Sequence, residues 1–187
     1  MRKTLYALFM AAALAAPIAL TASAQSDNPM VGGAPMYRSK NIVENAVNSA
    51  DHTTLVAAVK AAGLVDTLSG KGPFTVFAPT NAAFDKLPAG TVQTLLMPEN
   101  KGMLTKVLTY HVVAGKYDSK KLMQLIKKGG GQAKLTTVSG GTLIARMNGM
   151  NGISLTDEKG GTSNVTTANV YQSNGVIHVV DTVLMPQ

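Results

Sequence analysis

The chain has no cysteine among its 187 residues. Disulfides, thiol catalysis and thiolate metal sites are therefore excluded, as is a lipid anchor on a cysteine of this sequence. The fold must be held by its core alone. Acidic residues are few: ten Asp and Glu stand against seventeen Lys and Arg, for a net charge of +7. After residue 24 no apolar run approaches the ~20 residues needed to cross a bilayer. There is no G-x-S-x-G elbow, no H-E-x-x-H and no P-loop. Ser and Thr are plentiful, yet none has neighbours that would activate a nucleophile. The basic residues are scattered apart from Lys120-Lys121 and Lys127-Lys128, with no basic stripe carrying interleaved aromatics. That argues against nucleic acid. A mild positive charge favours anionic lipid headgroups or polysaccharide instead.

What is present begins with an export signal. Arg2 and Lys3 precede an apolar stretch from Leu5 to Leu20, broken by Pro17 and followed by the small residues Ala22-Ser23-Ala24. This reads as a bacterial secretory signal peptide over 1–24, not a membrane-spanning helix. Its removal lowers the net charge by two. Residues 25–38 contain Pro29, Gly32, Gly33 and Pro35 and read as a flexible lead-in. The domain proper is expected over 39–187.

The stretch FTVFAPTNAAFDKL, Phe74 to Leu87, is the most informative in the chain. Phe74, Val76 and Phe77 form a short aromatic and β-branched run, which predicts a buried strand. Pro79 ends it, lacking an N–H for the ladder. Thr80 or Asn81 can cap a helix that carries Ala83, Phe84 and Leu87. Upstream, helical spacing marks Ile42–Val47 and Leu55–Ala62, the latter capped at Asp51 and stopped by Gly63. Downstream, helices are expected after Thr91, from Lys101 to about Thr109, and from Ser119 to Lys128. Ser69–Pro73 reads as a loop. From Ala133 onward, short β-type segments alternate with Gly-rich turns and end in Val176–Leu184. That pattern predicts an antiparallel meander. Helices first and strands last make this an α+β chain.

Three motifs carry a resemblance. TVFAPTNAAF resembles the first signature box of the fasciclin domain family. NGVIHVVDTVLMP, from Asn174 to Pro186, resembles the second, and Tyr110-His111 matches the tyrosine–histidine motif between them. The likeness spans Asn41 to Pro186. It implies a wedge of two mainly antiparallel β-sheets with helices packed along one side. It also implies that Phe74, Phe77, Pro79, Thr80, Asn81, Phe84, Tyr110, His111, Asn174, Gly175, His178 and Asp181 are scaffold residues. The strands bearing the two boxes should be neighbours. In animal members the tyrosine–histidine region is implicated in receptor contact, so the surface at Tyr110, His111, Val112 and Val113 is a candidate interaction surface, while the Tyr110 side chain itself is expected in the core at the helix-to-strand junction.

No metal or cofactor is expected, because His111 and His178 lack a third ligand at a readable spacing. His52, in the first turn of a helix, should face solvent. Asp157-Glu158 reads as a solvated turn, since paired carboxylates for sugar hydrolysis flank a cleft. The resemblance implies a non-catalytic adhesion or recognition module, periplasmic or extracellular, that contacts a cell-surface protein or a glycan. The alternative is a carrier of an apolar ligand such as a carotenoid or lipid, as some relatives are. Its groove would draw on Leu122, Met123, Ile126, Met147 and Met150.

Overall fold

A computed structural model describes residues Asn28–Gln187. The expected signal peptide lies outside them. Two strands far apart in sequence form the centre. β3 (Phe74–Pro79) and β9 (Gly175–Val180) run parallel, in register from Phe74 opposite Gly175 to Pro79 opposite Val180. These are the strands of the two boxes, neighbours as expected. Their side chains alternate between two apolar clusters. Val76, Ala78, Ile177 and Val179 join one cluster, while Phe77 and Val180 join the other.

The first cluster is built with helices. α1 (Ile42–Ala46) starts in a capping box of Asn41 and Glu44. α2 (Thr53–Ala62) follows a single 3-10 turn over Ala50–His52 and ends at Gly63 in the left-handed region. Asp51 sits inside that turn and does not cap α2, which corrects the expected boundary. α3 (Val65–Ser69), α4 (Asn81–Asp85), α5 (Thr91–Leu96) and α6 (Lys101–Tyr110) complete the layer. Gly90, not Thr91, holds the cap position of α5.

The second cluster lies between the other face of the central strands and the meander. β4 (Val112–Ala114) pairs with β3, and then α7 (Ser119–Lys128) begins at Asp118, whose carboxylate accepts the Lys121 amide at 2.8 Å. β5 (Gln132–Thr136), β6 (Thr142–Asn148), β7 (Gly152–Thr156) and β8 (Thr162–Gln172) lead antiparallel to β9. The seven strands run β4-β3-β9-β8-β7-β6-β5. β8 carries two register shifts between Val165 and Val170, with Asn169 at φ 62°. Such bulges bend a strand and increase its twist. The sheet curls until Val113 bridges Thr137, and the Val138 amide donates to the Val112 carbonyl at 2.7 Å. α7 closes this second core with Leu122 and Ile126, both fully buried.

The second sheet is a small ribbon, β1 (Met30–Val31) with β2 (Ala34–Pro35). It corrects the expected flexible lead-in over the described residues 28–38. Met36 is 2 % exposed and Val31 is buried in the first cluster. The Tyr37 amide donates to Asn45 Oδ1, and Asn45 Nδ2 returns a bond to the Tyr37 carbonyl.

Candidate functional site

The motif residues are spent on internal bonding. Phe77 and His178 stand opposite each other on β3 and β9 and stack at 5.7 Å. His178 Nε2 donates to the Tyr117 carbonyl at 2.8 Å, while Nδ1 is buried without a partner. Thr80 caps α4 through a bond from the Ala83 amide. Asn81 clamps α4 to the start of α2: it accepts from the Thr54 amide at 3.0 Å and donates to the Ala50 carbonyl at 2.9 Å. Phe84 is buried in the helical cluster, and Phe74 is half-buried. Asp181 accepts the amide and side-chain N–H of Asn164 and stands 3.9 Å from Lys86. Burial pushes its carboxyl up, but these bonds, Thr182 and Lys86 together hold it below the ordinary value.

Tyr110 packs in the core as expected, but the candidate interaction surface around it is corrected. Tyr110, His111, Val112 and Val113 are all at most 4 % exposed, so their side chains offer no face to a partner. The α6-to-β4 junction turns them inward, where the two clusters meet. His111 Nδ1 donates to the Val107 carbonyl and Nε2 accepts the Leu184 amide. Burial drives its pKa down to about 4, so the ring is neutral. Tyr110 donates to the Thr142 carbonyl and accepts the Glu158 amide; burial pushes it up to about 12.

Two further expectations change. Asp157 and Glu158 are not a solvated turn. Asp157 is 8 % exposed and accepts the amides of Gly161 and Met185, while Glu158 accepts those of Thr142 and Gln187. The pair pins the C-terminal tail to the β6 and β7–β8 turns. His52 is 3 % exposed, not solvent-facing. Its Nδ1 bonds Ser49 Oγ at 2.8 Å, Nε2 has no partner, and burial lowers its pKa. Among the described residues, no three His, Asp or Glu side chains converge as a metal site would require.

His52 and His111 border an apolar cavity of about 80 Å³ between the helices and β3/β9. Met36, Leu55, Val59, Val76, Leu108 and Ile177 line it. The groove residues expected from the sequence lie elsewhere. Leu122 and Ile126 are in the second core with Met123 and Met147 packed beside them, and Met150 is 91 % exposed.

A second recess, of about 540 Å³, opens where four segments meet: Asn41, Ser69–Pro73, Lys116 and Ser173–Gly175. Asn174 organises it. Its Oδ1 accepts the Ile42 amide at 3.0 Å, and its Nδ2 donates to the carbonyls of Leu68 at 2.8 Å and Gly70 at 3.0 Å. The backbones close in so tightly that a Cβ at Gly72 would sit 1.9 Å from the Asn174 carbonyl oxygen. One at Gly175 would sit 2.2 Å from that of Phe74. Gly115 donates to the Pro73 carbonyl at 2.8 Å, and Thr75 Oγ1 binds both the Gly115 carbonyl and the Tyr117 amide. The recess therefore has fixed walls. Sequence reasoning missed its lysines, because no local pattern joins residues 41, 71, 116 and 174.

Comparison with known proteins agrees with this geometry. The family model described as "Fasciclin domain" matches residues 50–186. Protein sll1483 of a Synechocystis strain is 47% identical over 146 residues, covering 78% of this chain and 73% of that protein. The cell surface glycolipoprotein MPB83 of Mycobacterium bovis is 31% identical over 192 residues, covering 92% of this chain and 79% of that protein. Among solved structures, the fasciclin-domain pair of the insect cell adhesion molecule Fasciclin I superposes with a TM-score of 0.69 at 20% identity. The match covers 78% of this chain and 51% of that one, so this chain spans about half of the pair.

Proposed function

The chain belongs to the fasciclin domain family, and from that membership we propose that it is an exported, non-catalytic recognition module. It works in the periplasm or outside the cell and contacts a cell-surface protein or a glycan of the envelope. One observation carries the reading. The residues best suited to acid–base chemistry, His111 and His178, are buried and donate to backbone carbonyls, as braces do. The cell-surface glycolipoprotein MPB83, a relative, and the cell adhesion molecule Fasciclin I, whose fold this chain shares, support it. The test is co-sedimentation of the purified protein with an envelope fraction from its native host. Saturable binding, displaced by unlabelled protein, is expected. A protein that stays wholly in the supernatant over a range of concentrations overturns the reading.

The apolar cavity bears on a second reading, a carrier of an apolar ligand. Pockets for drug-sized ligands run to roughly 300–1,000 Å³. A cavity of about 80 Å³ is well short of that, so a carotenoid or lipid would enter only if the helical layer moved aside. Organic extraction of protein purified from its host decides this. A stoichiometric pigment or lipid supports the carrier, and repeated empty extracts remove it.

A further inference from the structure

The recess at Asn174 carries charge as well as shape. Lys71 and Lys116 line it, and Lys40 borders it through its carbonyl, which accepts the amide of the lining residue Ser173 at 2.9 Å. Arg38 is tied to the same rim. Its guanidinium lies 4.9 Å from the centre of the Tyr171 ring, and Lys116 Nζ lies 5.0 Å from the same centre. Lys40 stands 5.1 Å from the Tyr37 ring. Contacts of this kind hold a long cationic side chain in place without neutralising it. Among the described residues no carboxylate comes within 4.0 Å of any of these four cations. The nearby acids have other tasks: Glu44 closes the α1 capping box, and Asp118 caps α7 and accepts the Tyr171 hydroxyl.

We propose that this recess is a binding site for a segment of anionic polysaccharide, with Lys71 and Lys116 as its main contacts and Arg38 and Lys40 extending the track. The inference deepens the recognition reading above and rests on it. Two cations on a concave, prebuilt, hydrogen-bonding wall, with two more on the adjoining surface and none of the four in an ion pair, match a chain that bears a negative charge on every unit. The alternatives fit less well. A bilayer surface is broad and takes up apolar side chains, whereas no large apolar side chain lines the recess. Single-stranded nucleic acid needs aromatic faces on which bases stack. The rings near the track are occupied, Tyr171 by Arg38 and Lys116 and Tyr37 by Lys40.

The test compares retention of the exported protein on immobilised polygalacturonate, on neutral dextran and on vesicles of phosphatidylglycerol with phosphatidylcholine, at low salt. Retention on polygalacturonate alone is expected. The K71E/K116E double variant should weaken it about tenfold or more. K127E/K128E makes the same change in net charge at the far end of α7, about 15 Å along that helix, and should leave binding intact. All four lysines are exposed, and melting temperatures check that both variants fold. Equal loss in the two variants overturns the site, since net charge alone would then explain retention. Vesicle binding as strong as polysaccharide binding overturns the choice of a chain, and no retention on either overturns the proposal entirely. If envelope co-sedimentation persists in that last case, only the partner's chemistry is wrong. If it too is absent, the recognition reading falls with it.

Discussion

The amide of Leu184 donates to Nε2 of His111 across 3.0 Å, tying the C-terminal tail to the end of α6. Protonation of that nitrogen removes the acceptor. Burial holds the folded-state pKa at about 4 against an ordinary 6.5. Between these values the unfolded chain binds the proton and the folded chain does not. The stability that His111 contributes is therefore fully present above pH 6.5 and is lost as the pH drops toward 4. The span corresponds to about 3 kcal/mol. His52 and His178, also lowered by burial, act in the same direction. Melting temperature should decline steadily from pH 7 to pH 4, and less steeply in His111→Asn. Equal slopes in the two proteins would show that His111 does not carry the effect.

Phe77 and Phe84 serve different cores. Phe77 is fully enclosed between the central strands and the meander, and Phe84 packs with the helices. Truncation of either to alanine leaves a cavity with no disulfide to offset it. Each should cost about 3–5 kcal/mol in urea denaturation. An unchanged midpoint for either would contradict its placement.

Asn174 makes three hydrogen bonds to three backbone groups. Asn174→Ala leaves those groups without the side chain and should cost about 2–4 kcal/mol. Asn174→Asp should be worse than alanine at pH 7, because a carboxylate oxygen would replace the donor that faces the carbonyls of Leu68 and Gly70. The order of the two denaturation midpoints is the measurement. An aspartate variant at least as stable as the alanine variant contradicts the assigned orientation of the carboxamide.

Gly175 and Gly102 should respond oppositely to alanine. A Cβ at Gly175 collides with the Phe74 carbonyl and would force β3 away from the β8–β9 turn. Gly175→Ala should lower the melting temperature by several degrees, for a loss of about 1–3 kcal/mol. Gly102, in the first turn of α6, faces open space. Gly102→Ala should stabilise by about 0.5–1 kcal/mol through reduced backbone freedom of the unfolded chain. Shifts of the same sign at both positions would contradict the packing described around Gly175.

By itself the sequence determined the elements and the family. Phe74–Pro79 and Gly175–Val180 announce strands through β-branched and aromatic density. Thr80 announces a helix start and Gly63 a helix stop, because capping and periodicity depend on residues a few positions apart. Only the tertiary structure decided what each polar side chain does. From the sequence His52 looks exposed, because its own helix turn says nothing of the strands and ribbon packed over it. From the sequence Asp157 and Glu158 look solvated, because their partners, the amides of Met185 and Gln187, arrive from the far end of the chain. The sequence places Tyr110 in the core but leaves His111–Val113 open as a contact surface, and the closing bridge from Val113 to Thr137 makes them core as well. The Asn174 recess was invisible for the same reason. Its walls come from four segments whose proximity is set by strand register and sheet curl, and no local run of residues encodes either.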